Sequence, residues 1–101
     1  MTKIPIPLTL KVRYNGFDYV QLLRSGFAYI YRQTVNGFYY YEVFKHKIAP
    51  EKNIKSKIIP SRIRFPNDEA FGYWAWSYNS LDRAIIKFFE LHGIKLNQKS
   101  K

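Results

Sequence analysis

The chain has 101 residues, no cysteine, and 17 Lys and Arg against 7 acids, for a formal charge of +10. The missing cysteine excludes disulfides, Cys-ligated zinc, iron–sulfur clusters and thiol catalysis, and the length fits one domain (1–101) that buries a core without such staples. The charge points to acidic partners, although Phe, Tyr, Ile, Asn and Lys all belong to A/T-rich codons, and an AT-rich genome inflates lysine independently of binding.

In chain order, "MTKIPIPLTLKVRY" alternates apolar and charged residues and forms no signal-peptide core, and no run approaches the roughly 18 apolar residues of a membrane span. The expectation is a soluble, cytoplasmic protein. Pro5 and Pro7 sit just before the first strand. Asn15-Gly16, Ser25-Gly26 and Asn36-Gly37 are turn pairs suited to two-residue hairpins. They predict a four-stranded meander over 8–47, with strands Leu8 to Tyr14, Phe17 to Arg24, Phe27 to Val35 and Phe38 to Lys47.

Two-residue turns fix the register and therefore the faces. One face collects Leu8, Leu10, Val12, Tyr14, Phe17, Tyr19, Leu23, Ala28, Ile30, Tyr39, Tyr41 and Val43, a core face interrupted by Gln21 and Arg32. The other collects Lys11, Arg13, Val20, Leu22, Arg24, Phe27, Tyr29, Tyr31, Phe38, Tyr40, Glu42, Phe44 and His46, basic at one edge and aromatic through the middle.

Residues 48–70 change in character. The stretch "KHKIAPEKNIKSKIIPSRIRFPNDE" holds Lys45, Lys47, Lys52, Lys55, Lys57, Arg62 and Arg64, and its three prolines resist regular structure. A long basic loop or arm is expected. Over 71–93, "YWAWSY" reads as a fifth strand with Trp74, Trp76 and Tyr78 on one side, the two tryptophans serving packing. Leu81, Ala84, Ile85, Phe88 and Phe89 form one helical stripe, with Asn79 or Ser80 as N-cap, Asp82 at the positive end of the dipole and Gly93 after the last turn. Residues 94–101 form a basic tail. The fold class is α+β, an antiparallel sheet with one C-terminal amphipathic helix on its core face.

Catalytic chemistry finds little support. His46 and His92 stand in no ligand spacing, Asp68-Glu69 follows Pro66-Asn67 as turn chemistry, and glycine-rich phosphate loops and nucleophile elbows are absent. A hydrolase using Asp68 or Glu69 with His46 or His92 is the weakest reading, and neither metal nor cofactor is expected. The stronger reading is a non-enzymatic binder of RNA or single-stranded DNA. Lys11, Arg13, Arg24 and the arm residues Lys45, Lys47, Lys52, Lys55, Lys57, Arg62 and Arg64 would contact phosphates, while Tyr29, Tyr31 and Tyr40 would stack on bases. The same tyrosines also fit cross-strand packing pairs, and the lysines an ordinary solvated surface.

The segment "WAWSYNSLDRAIIKFFELHG" resembles the end of AP2-type and integrase-type DNA-binding domains, which implies a sheet on DNA braced by a helix. "FPNDEAFGYWAWSYNSLDRAIIKF" is similar to small proteins of phages and integrated elements. That resemblance implies a mobile-element origin and, as the alternative function, an anti-CRISPR or other anti-defence inhibitor that binds a host nucleoprotein.

Overall fold

The computed structural model describes residues 7–94; Pro5 and the tail beyond Ile94 lie outside the described residues. Strands β1 (Lys11–Tyr14), β2 (Phe17–Arg24), β3 (Ala28–Val35) and β4 (Phe38–Lys45) form the meander. β9 (Ala75–Tyr78) adds beside β4, giving a five-stranded antiparallel sheet in the order β1-β2-β3-β4-β9. Asn15 and Gly16 (φ 52° and 82°) and Asn36 and Gly37 (φ 49° and 82°) make the two tight turns, because asparagine and glycine tolerate the left-handed angles that match strand twist. The third turn is one residue later than expected. Ser25 N–H donates to Ala28 O at 2.9 Å, while the Ser25 hydroxyl oxygen accepts from Phe27 N (3.0 Å) and Ala28 N (3.1 Å), leaving Gly26-Phe27 at the tip.

A bulge corrects the expected faces. Leu23 pairs with Ile30 but Gln21 pairs with Tyr31, so Leu22 is the extra residue, and every side chain upstream of it changes sides. Ala28, Ile30, Tyr41 and Val43 share one face as expected, whereas Val12, Tyr14, Phe17 and Tyr19 join Tyr29, Tyr31, Glu42 and Phe44 on the other. Lys11 and Arg13 move to the helix side of the sheet, and both faces acquire a core.

On the first face lies α1 (Leu81–Glu90), whose Ala84 and Phe88 pack into Ala28, Ile30 and Val43, flanked by Leu22, Tyr41, Tyr78, Ile85, Phe89 and Leu91. Ser80 caps its start, accepting from Arg83 N. Gly93 (φ 77°) ends it as expected: Gly93 N–H donates to Glu90 O (2.9 Å) and Ile94 N–H to Phe89 O (3.0 Å), the crossed pair of a Schellman turn. His92 is a structural histidine. Its Nδ1 lies 2.7 Å from Phe88 O and its Nε2 lies 2.6 Å from the Ser25 hydroxyl. Because that hydroxyl oxygen already accepts two amides, its proton goes to Nε2, and the imidazole donates from Nδ1.

The opposite face carries Tyr19, Tyr29, Tyr31 and Phe44, all buried, with Ile63, Ala70 and Ala75. Phe65 is the hub that covers them. Its ring centroid lies 4.9 Å from Tyr19, 5.3 Å from Tyr14, 5.4 Å from Tyr31 and 5.4 Å from Phe44, in tilted or edge-on contacts, the favoured geometry for ring quadrupoles. The Tyr31 hydroxyl donates to Thr9 O (2.6 Å) and accepts from Gln21 (2.8 Å), so its polar end is satisfied inside the core.

Two further expectations change. Trp74 and Trp76 do serve packing but on opposite faces: Trp74 precedes β9 and sits against Phe44 under Arg64, while Trp76 is opposite Val43 with Lys87 Nζ 4.1 Å from its ring. The turn at Gly72 (φ 89°) comes just before this reversal. The basic loop is in fact a β-hairpin. β5 (Ile48–Ala49) pairs with β8 (Arg62–Ile63), and β6 (Lys52–Ile54) with β7 (Lys57–Ile59), in one unbroken register. Pro50 and Pro60 interrupt only the bonding between the two ladders, a tolerable loss in a ribbon whose strands are both edges. Asp68–Ala70 form a single 3₁₀ turn that leads to β9.

Phe65→Ala should lower stability by about 3 kcal/mol, the usual range for an emptied aromatic core position, and expose the tyrosines it covers. Denaturant unfolding with tyrosine fluorescence checks this; a loss under about 1 kcal/mol would mean the face holds together without its hub.

Candidate nucleic-acid interface

Beyond its base the hairpin from Ile48 to Ile63 stands clear of the sheet and helix: β6 and β7 pack on each other, and residues 50–58 are all exposed. Seven residues on each side, Ile48 to Ile54 and Lys57 to Ile63, reach roughly 23 Å from base to tip. The tip is Lys55-Ser56, with φ of 47° and 68°, a left-handed two-residue turn made without glycine. Lys45, Lys47, Lys52, Lys55, Lys57 and Arg62 are all exposed at the base or along the ribbon. Ile54 and Ile58 stand exposed among them, at 48% and 59%. The register sets Lys52, Ile54, Lys57 and Ile59 on one side of the ribbon and Asn53 and Ile58 on the other.

The remaining candidate residues divide. Arg24 is exposed at the end of β2, opposite Tyr29 and therefore on the sheet face that meets the ribbon's base. His46 stacks on Tyr29, with its Nδ1 3.0 Å from the tyrosine hydroxyl. Arg64 is half-buried, its guanidinium 5.1 Å from the Trp74 ring, and its N–H donates to Lys47 O. Lys11 and Arg13 lie on the outer strand and the other face, and Arg13 is paired with Asp18 at 2.6 Å.

The three tyrosines do not form a stacking surface. Tyr31 is 0% exposed and Tyr29 6%, because Phe65 and Phe44 occupy their ring faces, and burial raises both hydroxyl pKa values. Tyr40 is partly exposed, at 38%, but stands five residues along β4 from Lys45, roughly 17 Å from the ribbon's base. The packing reading of these rings is the one the fold realises for Tyr29 and Tyr31.

One group stands out that residue type alone did not reveal. Glu42 lies on the tyrosine face, opposite Tyr31 and Ser77, and is only 7% exposed. Burial pushes its pKa up to about 7. Tyr19 nearby is pushed up to about 12, first by burial and then by the negative potential of Glu42. The sequence signal was faint: a lone acid inside the aromatic run "FYYYEVF".

Among the described residues there is no group of three or more His, Cys, Asp or Glu able to hold a metal, and no helix long and apolar enough to cross a membrane. No family model, curated protein or solved structure matches the chain.

The raised Glu42 pKa makes stability pH-dependent. The folded state holds a proton there up to about pH 7, whereas the unfolded carboxyl releases it near 4.5. The favourable contribution is full below the unfolded value and is lost as pH rises through 7, up to about 3 kcal/mol. Glu42→Gln removes this dependence. The melting temperature of the variant minus that of the wild type should therefore rise by more than about 4 °C between pH 5 and pH 8. A difference that stays constant with pH would show that Glu42 ionises in the fold without penalty.

Proposed function

We propose that the protein is a non-enzymatic nucleic-acid binder that engages duplex DNA with its basic hairpin. The observation that supports this reading is the protruding two-stranded ribbon with lysines along it and at its tip. The major groove of B-DNA, about 12 Å wide, admits such a ribbon, and base edges there offer thymine methyl groups to apolar side chains. Lys52, Lys55 and Lys57 would neutralise phosphates, while Ile54, on the same side of the ribbon as Lys52 and Lys57, would meet base edges. Lys45, Lys47, Arg62 and Arg24 at the base would contact the flanking backbone.

Duplex DNA is preferred over the other polyanions for physical reasons. Single-strand binding relies on exposed rings, and Tyr29 and Tyr31 are inside the core. A-form RNA has a deep, narrow major groove that a ribbon does not enter.

Fluorescence-anisotropy titrations of a 20-base-pair DNA duplex, an RNA duplex and single-stranded DNA at two salt concentrations test the reading. The DNA duplex should bind most tightly, with affinity falling steeply as salt rises. Changing Lys55, Lys57 and Arg62 together to Ala should make the log–log salt slope shallower by between about 2 and 3, with the melting temperature unchanged. Feeble, salt-erased binding to all three nucleic acids, or an unaltered slope in the triple variant, would overturn it.

A further inference from the structure

A cleft of about 170 Å³ opens on the tyrosine face between the β1–β2 hairpin and the segment around the 3₁₀ turn, remote from the ribbon's tip. Tyr14, Phe17, Tyr19 and Phe71 contribute aromatic lining, and Glu42 and Asp68 supply carboxylates. Two of the chain's 7 acids thus meet among rings in a protein of charge +10. Glu42 is more than nine-tenths buried and lines this cleft. Among the described residues no ion pair or hydrogen bond answers its carboxylate.

An unanswered buried carboxylate keeps its proton unless something positive meets it, and a cation placed beside it would be repaid by its ionisation. The influences on Tyr19 point the same way: besides burial, the ionised carboxylates of Glu42 and Asp68 both raise its pKa, so both are close enough to be felt at its hydroxyl. Rings present their negative faces to cations, and aromatic walls with a carboxylate are the recurring means of holding alkylated ammonium groups. A hard metal ion would need more oxygen ligands than two carboxylates, and no metal-ligand cluster is present among the described residues.

We propose that the cleft floored by Glu42 and walled by Tyr14, Phe17, Tyr19 and Phe71 is a binding site for an organic ammonium group. Glu42 gives up its proton as the cation enters and supplies the opposing charge at the bottom, Asp68 lies at the rim, and the rings contact the alkyl or methyl substituents. The source is a free amine or a lysine side chain, plain or methylated; the recognising chemistry is shared. This site is independent of the hairpin and of whether that hairpin binds DNA.

Isothermal titration in phosphate buffer at pH 8, which contains no competing amine, tests the site with butylammonium, butyltrimethylammonium and butan-1-ol, the neutral analogue of butylammonium. Either ammonium probe should bind saturably, with the alcohol at least about tenfold weaker. Glu42→Gln, confirmed as folded by its melting curve, should weaken binding by at least about tenfold and Asp68→Asn by about threefold. A tripeptide with a central lysine, or its trimethylated form, distinguishes the sources. Tighter binding than the butyl probes assigns the site to a protein side chain, tighter binding of the free amines to a small metabolite, and both uphold the proposal. Failure of both ammonium probes to bind at millimolar concentration overturns it. So does equal binding of the alcohol, or an unchanged affinity in folded Glu42→Gln.

Discussion

The packing of Phe65 onto four aromatic rings is the contact on which the rest of the structure depends. A meander of this length has two faces, and a single helix of ten residues can cover only one. Phe65 closes the other by meeting Tyr14, Tyr19, Tyr31 and Phe44 edge-on or tilted, converting a face full of hydroxyl-bearing rings into a second core. The rings' polar ends are handled locally: Tyr31 bonds Thr9 O and Gln21, Tyr29 bonds His46, and Tyr19 accepts from Gln33. Because Phe65 directly follows β8 and Arg64, the same contact also anchors the base of the ribbon. Buried Ile63 enters the tyrosine cluster two residues before it. The ribbon therefore projects from a fixed root.

That dual role explains why charge and aromaticity, mingled in the sequence, separate in space. The rings turn inward under the segment from Ile63 to Trp74, and the cations are pushed out along the hairpin. Around Glu42 the packing leaves a gap, where the 3₁₀ turn places Asp68 near the rings rather than sealing them off. The ribbon and the cleft are thus products of one chain segment, one extending away from the sheet and the other closing imperfectly over it.

The meander, the fifth strand and the helix were legible because their signals are local. Asn-Gly pairs specify a turn by backbone angle, and Leu81 to Phe89 specify a face by spacing. The faces of the sheet were not legible, since the bulge at Leu22 inserts one residue into "VQLLR", a stretch with no glycine or proline to mark it, and one extra residue inverts everything upstream. The hairpin was hidden for the opposite reason. Its turn at Lys55-Ser56 lacks the residues that favour positive φ, while Pro50 and Pro60 argue against strands. Knowing that both prolines fall between two short ladders requires the pairing itself. The candidate cleft was invisible on both counts, because Glu42 acquires its environment only after the inversion brings Tyr14 and Tyr19 to its side.

The four-residue outer strand β1 bears on how the molecule behaves beside copies of itself. A sheet ends in a row of amide and carbonyl groups with no neighbour, and such rows template further strands unless something obstructs them. Here the outer strand is short, and its two exposed side chains are Lys11 and Arg13. A second copy laid antiparallel along this edge would bring like charges together and strip water from them. Two residues that composition suggested as phosphate contacts thus stand where their charge and hydration oppose pairing of this edge with another strand.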